Sequence, residues 1–228
     1  MKIKQVSEHI WSLKTWMLIP IHVWVVVGDE GEVTLVDTGM PMMAKGIIKF
    51  LHKLDGVSLK QILLTHGHSD HVGAIKMILS ERKVPVYAHQ VEIPYMTGEK
   101  LYPRRKKLEN NVSKNVIQPL PEDEKGNLTK IAGLTPFLTP GHSPGHVVYY
   151  HEEDQVLLAG DLFTSKNGKL HKPIPMFTAD MNEAVRSSVI LEKLQPKQLE
   201  VCHGGSVVNP ASQLYEYMRG MENELMLR

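Results

Sequence analysis

The feature that most restricts this chain is a short apolar run, Ile62-Leu63-Leu64, that ends directly in Thr65-His66-Gly67-His68-Ser69-Asp70-His71. Three histidines and an aspartate fall within six consecutive positions, which no hydrophobic core requires. An apolar run of this length reads as a buried strand. His66 and His68, two residues apart on extended chain, project to the same side. Asp70 and His71 follow one turn later, with Ser69 placed to cap a helix. Such an arrangement can aim two nitrogens at one metal ion and an oxygen–nitrogen pair at a neighbouring one. The competing reading is a solvated, histidine-rich loop, and the buried strand in front of the cluster argues against it.

The same design recurs downstream. TPGHSPGH places His142 and His146 after an apolar stretch ending at Thr139, QVLLAGD ends on Asp161, and LEVCHGG delivers His203. In a contiguous sheet these strand ends meet in one pocket. An aspartate closing an apolar strand is costly to bury unless it is paired or metal-bound.

Around these motifs the chain alternates strands and helices. IHVWVVV and VTLV read as strands joined by a turn at 29–31. PMMAKGIIKFLHKL carries Ile47, Ile48, Leu51 and Leu54 at helical spacing, AIKMILSERK is a second helix, and VPVYAH the next strand. Later strands are LTPFLT, VVYYH, QVLLAGD and LEVC, with helices over AVRSSVILEKL and from Pro210 onward. The pattern is α/β, with the cluster at the carboxyl end of a strand, where ligand sites of such sheets concentrate. Residues 90–128 dissolve into polar, Pro-containing sequence, predicted to be a lid or binding loop within one domain spanning 1–228.

Lys plus Arg number 26 against 25 Asp plus Glu, so net charge gives no argument for nucleic acid or an anionic membrane. Apolar stretches such as VWVVV fall far short of the roughly 20 residues of a membrane-spanning helix, and the first residues lack a signal peptide's apolar segment. These features predict a cytoplasmic protein with a small-molecule substrate. Cys202, the single cysteine, is expected to be buried with its side chain opposite to that of His203.

THGHSDH, TPGH, the strand-ending GD and the late strand-ending histidine together resemble the metallo-β-lactamase superfamily, from VDTG at 36–39 through CHGG at 202–205. The resemblance implies a four-layered αββα sandwich with a metal site at one edge between the sheets. By the family pattern His66, His68 and His142 would hold one metal, Asp70, His71 and His203 a second, and Asp161 would bridge. Two cations about 3.5–4 Å apart can share a hydroxide that attacks a carbonyl or phosphoryl group at neutral pH. Asp70 would be catalytic, ligating one metal and orienting that hydroxide. Nitrogen and oxygen donors suit two divalent ions, zinc first, with manganese or iron as alternatives. Asp37 in VDTG resembles the family aspartate that shapes the site by hydrogen bonding, and His146 is a supporting neighbour.

In this family the hairpin loop corresponding to WMLIPI lies beside the metals, which makes Trp16, Met17 and Leu18 a candidate apolar wall. YPRRKK offers Tyr102 or Arg104 to a substrate carboxylate or phosphate, and His171 is a candidate pocket residue. Asp161 and the missing signal sequence count against penicillin hydrolysis. LFTSKNGKLHKP lacks the GCGR pattern of glyoxalase II enzymes, and the short stretch after His203 is expected not to supply their glutathione-binding helical domain. Homoserine-lactone lactonases share HSPGH but carry tyrosine where this chain has Thr164, and His68 departs from the flavodiiron pattern. The reading is a metal-dependent hydrolase of an ester, thioester or lactone. The alternatives are a mononuclear non-haem iron persulfide dioxygenase and a metal-binding protein without useful turnover.

Overall fold

The apolar runs in the first third of the chain are too continuous for a sheet with one wet face. In the structure, a computed structural model describing residues 1–28 and 30–226, they form the interior of a seven-stranded sheet. Asp29, the first residue of the expected 29–31 turn, lies outside the described residues. The strands are β1 (Lys2–Gln5), β2 (Ile10–Trp16), β3 (Pro20–Val27), β4 (Glu32–Val36), β5 (Ser58–Leu63), β6 (Val86–Ala88) and β7 (Ile117–Pro119), in that spatial order. β1 to β4 pair antiparallel, and β4 to β7 pair parallel. Val23, Trp24, Val25 and Val26 are all buried, as expected for a strand covered on both faces.

The second sheet contains β8 (Leu134–Leu138), β9 (Val147–His151), β10 (Val156–Leu158), β13 (Gln198–Glu200) and β14 (Val207–Val208), in spatial order β14-β13-β10-β9-β8. A separate hairpin pairs β11 (Thr164–Lys166) with β12 (Lys169–His171). The helices are α1 (Ala44–Leu51), α2 (Ser69–Val72), α3 (Ile75–Glu81), α4 (Ile93–Met96), α5 (Met181–Ser187), α6 (Ile190–Leu194) and α7 (Leu214–Met226).

Side-chain alternation builds the layers. Val147, Tyr149, Val156 and Leu158 face the first sheet and share its core, which α1 and α3 extend with Ile47, Phe50, Ile75 and Ile78. The intervening Val148, Leu157 and Leu199 point the other way, onto Val185, Leu191, Leu214, Tyr217 and Met221 of α5, α6 and α7. Each large aliphatic side chain fully buried here contributes about 1.5–3 kcal/mol. The result is the expected αββα sandwich.

Topology decides where the ligand-type residues go. β4 and β5 run parallel, as do β10 and β13, so within each pair the carboxyl ends lie together. The β8–β9 connection opens at the same edge, because the Val147 amide donates to the Thr65 carbonyl (2.9 Å) and the Tyr149 hydroxyl to the Leu64 carbonyl (2.8 Å). At the far end of β9 the sheets are latched by Asp154. His9 Nδ1 lies 2.8 Å from Asp154 Oδ1, while the Ser7 hydroxyl and the His9 amide both donate to Oδ2.

Three parts of the architecture differ from the sequence reading. β1 and β2 add two strands before the first expected one. The helix expected over 184–194 is two, α5 and α6, separated at Ser188-Val189, and α5 starts at Met181 behind the N-cap Asp180, whose carboxylate accepts from the Glu183 amide. The 90–128 stretch contains α4 and β7, and β7 completes the edge of the first sheet. Among the described residues no helix is long and apolar enough to cross a membrane.

Candidate metal centre

Asp37, the residue after β4, has a left-handed backbone (φ 59°), which aspartate tolerates better than most residues. Its Oδ1 accepts from the Thr65 amide (2.8 Å), and its Oδ2 from the Thr65 hydroxyl (2.7 Å) and His71 Nδ1 (2.7 Å). The Thr38 amide and hydroxyl donate to the His71 carbonyl at 2.7 and 2.9 Å. The end of β4 therefore fixes both the loop after β5 and the direction of the His71 ring.

The histidines fall into two groups. His66 Nε2 and His142 Nε2 lie 3.0 and 3.1 Å from His68 Nδ1, so three nitrogens converge. Asp70, His71 and His203 form the second group, with ligand atoms within 4.8 Å of one another. Asp161 stands between them. Its Oδ1 is 3.4 Å from His71 Nε2, and its Oδ2 is 3.4 Å from His142 Nε2 and 3.2 Å from His203 Nε2.

Second nitrogens orient the rings. His142 Nδ1 faces the Thr178 hydroxyl at 3.3 Å, and His203 Nδ1 donates to the Pro20 carbonyl at 2.9 Å. His146 differs, because protein groups occupy both its nitrogens: Nε2 accepts from the Asp161 amide (3.1 Å) and Nδ1 faces the Thr139 hydroxyl (3.0 Å). It supports the backbone that carries Asp161.

The two groups differ in their electrostatics, and burial is outweighed by the carboxylates around His71 and His203, which raise both rings above the ordinary histidine range. Burial holds His66, His68 and His142 below the ordinary histidine range, His68 at about 4, so their lone pairs stay available. Burial opposes ionisation of Asp70, yet His71 and His203 hold its carboxyl down to about 2. Burial is likewise outweighed at Asp161, which His203, His71 and His142 hold well below the carboxylate range. The fit of a metal to these residues can be tested on the protein atoms themselves. His71 Nε2 and Asp161 Oδ1 are buried without a hydrogen-bond partner, a costly state for polar atoms that a bound cation relieves.

Cys202 is buried, as expected, but it does not point away from the site. β13 ends at Glu200, so strand alternation no longer governs residue 202, and its sulfur lies within 4.8 Å of the ligand atoms of Asp70, His71 and His203.

The mouth is a cavity of about 420 Å³ lined by His68, Asp70, Asp161 and His203 together with Ile19, Arg105 and Phe177. A second cavity of about 670 Å³ continues past Ile19 and His203 between the β2–β3 turn and residues 164–175. Trp16 and His171 line it. Met17 and Leu18 line neither of these cavities, and Leu18 is 93% exposed; Ile19, which sequence reading passed over, takes their place. Two further expectations are corrected. Tyr102 is buried and gives its hydroxyl to Glu92 (2.7 Å), and Arg104 donates to the carbonyls of Pro175 (3.2 Å) and Thr178 (3.0 Å). The cation at the mouth is Arg105, 5.1 Å over the Phe177 ring. Periodicity could not separate Arg104 from Arg105, since they are adjacent in an irregular segment.

A sequence profile described as the metallo-β-lactamase superfamily matches residues 17–202, and the chain belongs to that superfamily. It is 39% identical over 212 residues to the probable metallo-hydrolase YybB of Bacillus subtilis (strain 168), covering 91% of this chain and 93% of the relative. It is 29% identical over 151 residues to the hydroxyacylglutathione hydrolase GloC of Haemophilus influenzae (strain ATCC 51907 / DSM 11121 / KW20 / Rd), covering 64% and 68% of the two chains. The crystal structure of TTHA1623 in a di-iron-bound form superposes with a TM-score of 0.66 at 26% identity, covering 89% of this chain and 96% of that one.

Proposed function

We propose that this metallo-hydrolase of the metallo-β-lactamase superfamily uses two metal ions to hydrolyse a carbonyl substrate, an ester, thioester or lactone. The observation that carries the proposal is Asp161, whose two oxygens reach toward histidines of both groups, with Oδ1 left without a hydrogen-bond partner. His66, His68 and His142 would hold one ion, Asp70, His71 and His203 the other, and Asp161 both. Zinc suits these donors, and the di-iron form of TTHA1623 makes iron a second candidate. Bound there, such ions would supply Lewis acidity to a carbonyl oxygen and would lower the pKa of bound water toward neutrality.

The protein's own groups do the rest. Asp70, held ionised, can accept a hydrogen bond from the attacking water and fix its direction. Asp37 and Pro20 hold His71 and His203 in orientation through their Nδ1 atoms. Trp16, Ile19, Pro20, Ile174 and Pro175 give the larger cavity an apolar lining for an acyl or leaving group. Thioesters are favoured among the three substrate types because hydroxyacylglutathione hydrolases are among the relatives. The segment 90–128 is read as one wall of the mouth within a single domain. The test is hydrolysis of a panel of acyl thioesters, lactones and aryl esters by zinc-reconstituted protein, with Asp161→Ala as control. Hydrolysis that survives Asp161→Ala at full rate contradicts the proposal.

A further inference from the structure

Glu92, the residue before α4, is completely buried at the back of the three-histidine group. No lysine or arginine pairs with it among the ion pairs of the described residues; four hydrogen-bond donors surround its carboxylate instead. Oε1 accepts from the Gly67 amide (3.0 Å) and the Tyr102 hydroxyl (2.7 Å). Oε2 accepts from the Ser143 hydroxyl (2.9 Å) and the Gly145 amide (2.7 Å). Gly67 lies between His66 and His68, and Ser143 directly follows His142. One carboxylate therefore ties together the two loops that carry the three converging nitrogens, one loop to each oxygen.

The surrounding backbone is built for this approach. A Cβ on Gly145 would sit 2.7 Å from the Glu92 Cβ, and one on Gly67 would collide with the Met96 Cβ and the Tyr102 hydroxyl. Both glycines leave room for the Glu92 segment to press against the loops. His68 Nδ1 lies 3.0 Å from His66 Nε2 and 3.1 Å from His142 Nε2, which brings rings from two separate loops to one point. Something outside the rings must hold the loops together, and a buried group whose four partners would each be left unsatisfied on its removal is suited to that.

We infer that Glu92 is the positioning residue of the three-histidine site, clamping the His66–His68 loop to the His142 loop so that the site is formed before metal arrives. The inference rests on the metal-binding reading of that cluster, and its test separates the two.

The experiment compares parent and Glu92→Gln in an Asp70→Ala/His203→Ala background, where only the three-histidine group remains intact. Zinc affinity is measured by competition with a chromogenic chelator. The carboxamide introduced by Glu92→Gln must turn its NH2 toward one pair of donors and so release one loop. Outer-sphere changes of this kind typically weaken metal binding about 10- to 100-fold, and that loss is expected here. In metal-free protein with the active-site residues intact, hydrogen exchange of residues 66–71 or 141–147 should also quicken in Glu92→Gln. Tyr102→Phe and Ser143→Ala each remove one of the four bonds and should weaken zinc binding less. They keep the test decisive if Glu92→Gln folds poorly. Unchanged zinc affinity across the three variants, or faster exchange confined to 90–105, overturns the inference. If the parent itself takes no zinc, the metal reading fails, while the exchange experiment still decides whether Glu92 joins the loops.

Discussion

Asp37 Oδ2 lies 2.7 Å from His71 Nδ1, and both side chains are fully buried. The opposite nitrogen of the same ring, Nε2, faces the Asp161 carboxylate at 3.4 Å with no hydrogen-bond partner. The aspartate at the end of β4 thereby sets which nitrogen of His71 is left for a cation.

Asp37→Asn should preserve the shape of this contact and weaken it. Loss of such a support typically costs about 10- to 100-fold in metal affinity or activity. Asp70→Asn, which removes a charge expected to touch both metal and attacking water, should cost about 100- to 1,000-fold or more in turnover. Steady-state rates at saturating zinc check both. Equal small losses at the two positions would remove Asp70 from the mechanism.

Much of the candidate centre was legible because its motifs follow strands whose apolar runs are visible in the sequence: QILL before His66, QVLL before Asp161, LEV before His203. What was not legible depends on tertiary packing. β2 is half wet along its length, so IWSLKTW has no continuous apolar run, and β7 is a three-residue edge strand ending in proline. Glu92 is one carboxylate in a polar stretch, and only the approach of two loops marks it as buried. Cys202 was misdirected because strand pleat was extended two residues past the end of β13.

Arg104 and Arg105 should separate cleanly on mutation. Arg104→Ala removes two bonds to the 175–178 backbone and, at about 1 kcal/mol per hydrogen bond, should lower thermal stability. Arg105→Ala leaves those bonds in place and should raise KM for substrates bearing a carboxylate, with little change for neutral ones. Thermal melts and a paired substrate series check this. The opposite assignment of effects would place Arg104, not Arg105, at the mouth.

The Asp154 latch predicts a pH-dependent contribution to stability. The hydrogen bond that the His9 ring donates to Asp154 chiefly raises the His9 pKa above 6.5, with Glu153 and Glu8 adding to it. Its contribution is therefore complete below pH 6.5 and fades as pH rises through the folded-state value. Burial opposes the Asp154 charge, but Ser7 and His9 hold its pKa below 3.8, so its share persists above that pH and fades in acid. Burial lowers the pKa of the neighbouring His151, against the pull of Asp154. His9→Ala should cost up to about 1 kcal/mol near pH 5.5, given that water reaches the ring, and less at pH 9. Denaturant melts at the two pH values check it, and a larger loss at pH 9 would contradict it.

Hydrolysis by two metal ions joined through Asp161 has a direct test. The protein is stripped with chelator, zinc is added back in fractions of an equivalent, and bound metal and hydrolysis of an acyl thioester are followed together. Uptake of two ions per chain is expected, with hydrolysis that rises as the second is filled and loss of both in Asp161→Ala. One tightly held iron, no hydrolysis of any acyl substrate, and oxygen consumption on a persulfide would contradict it.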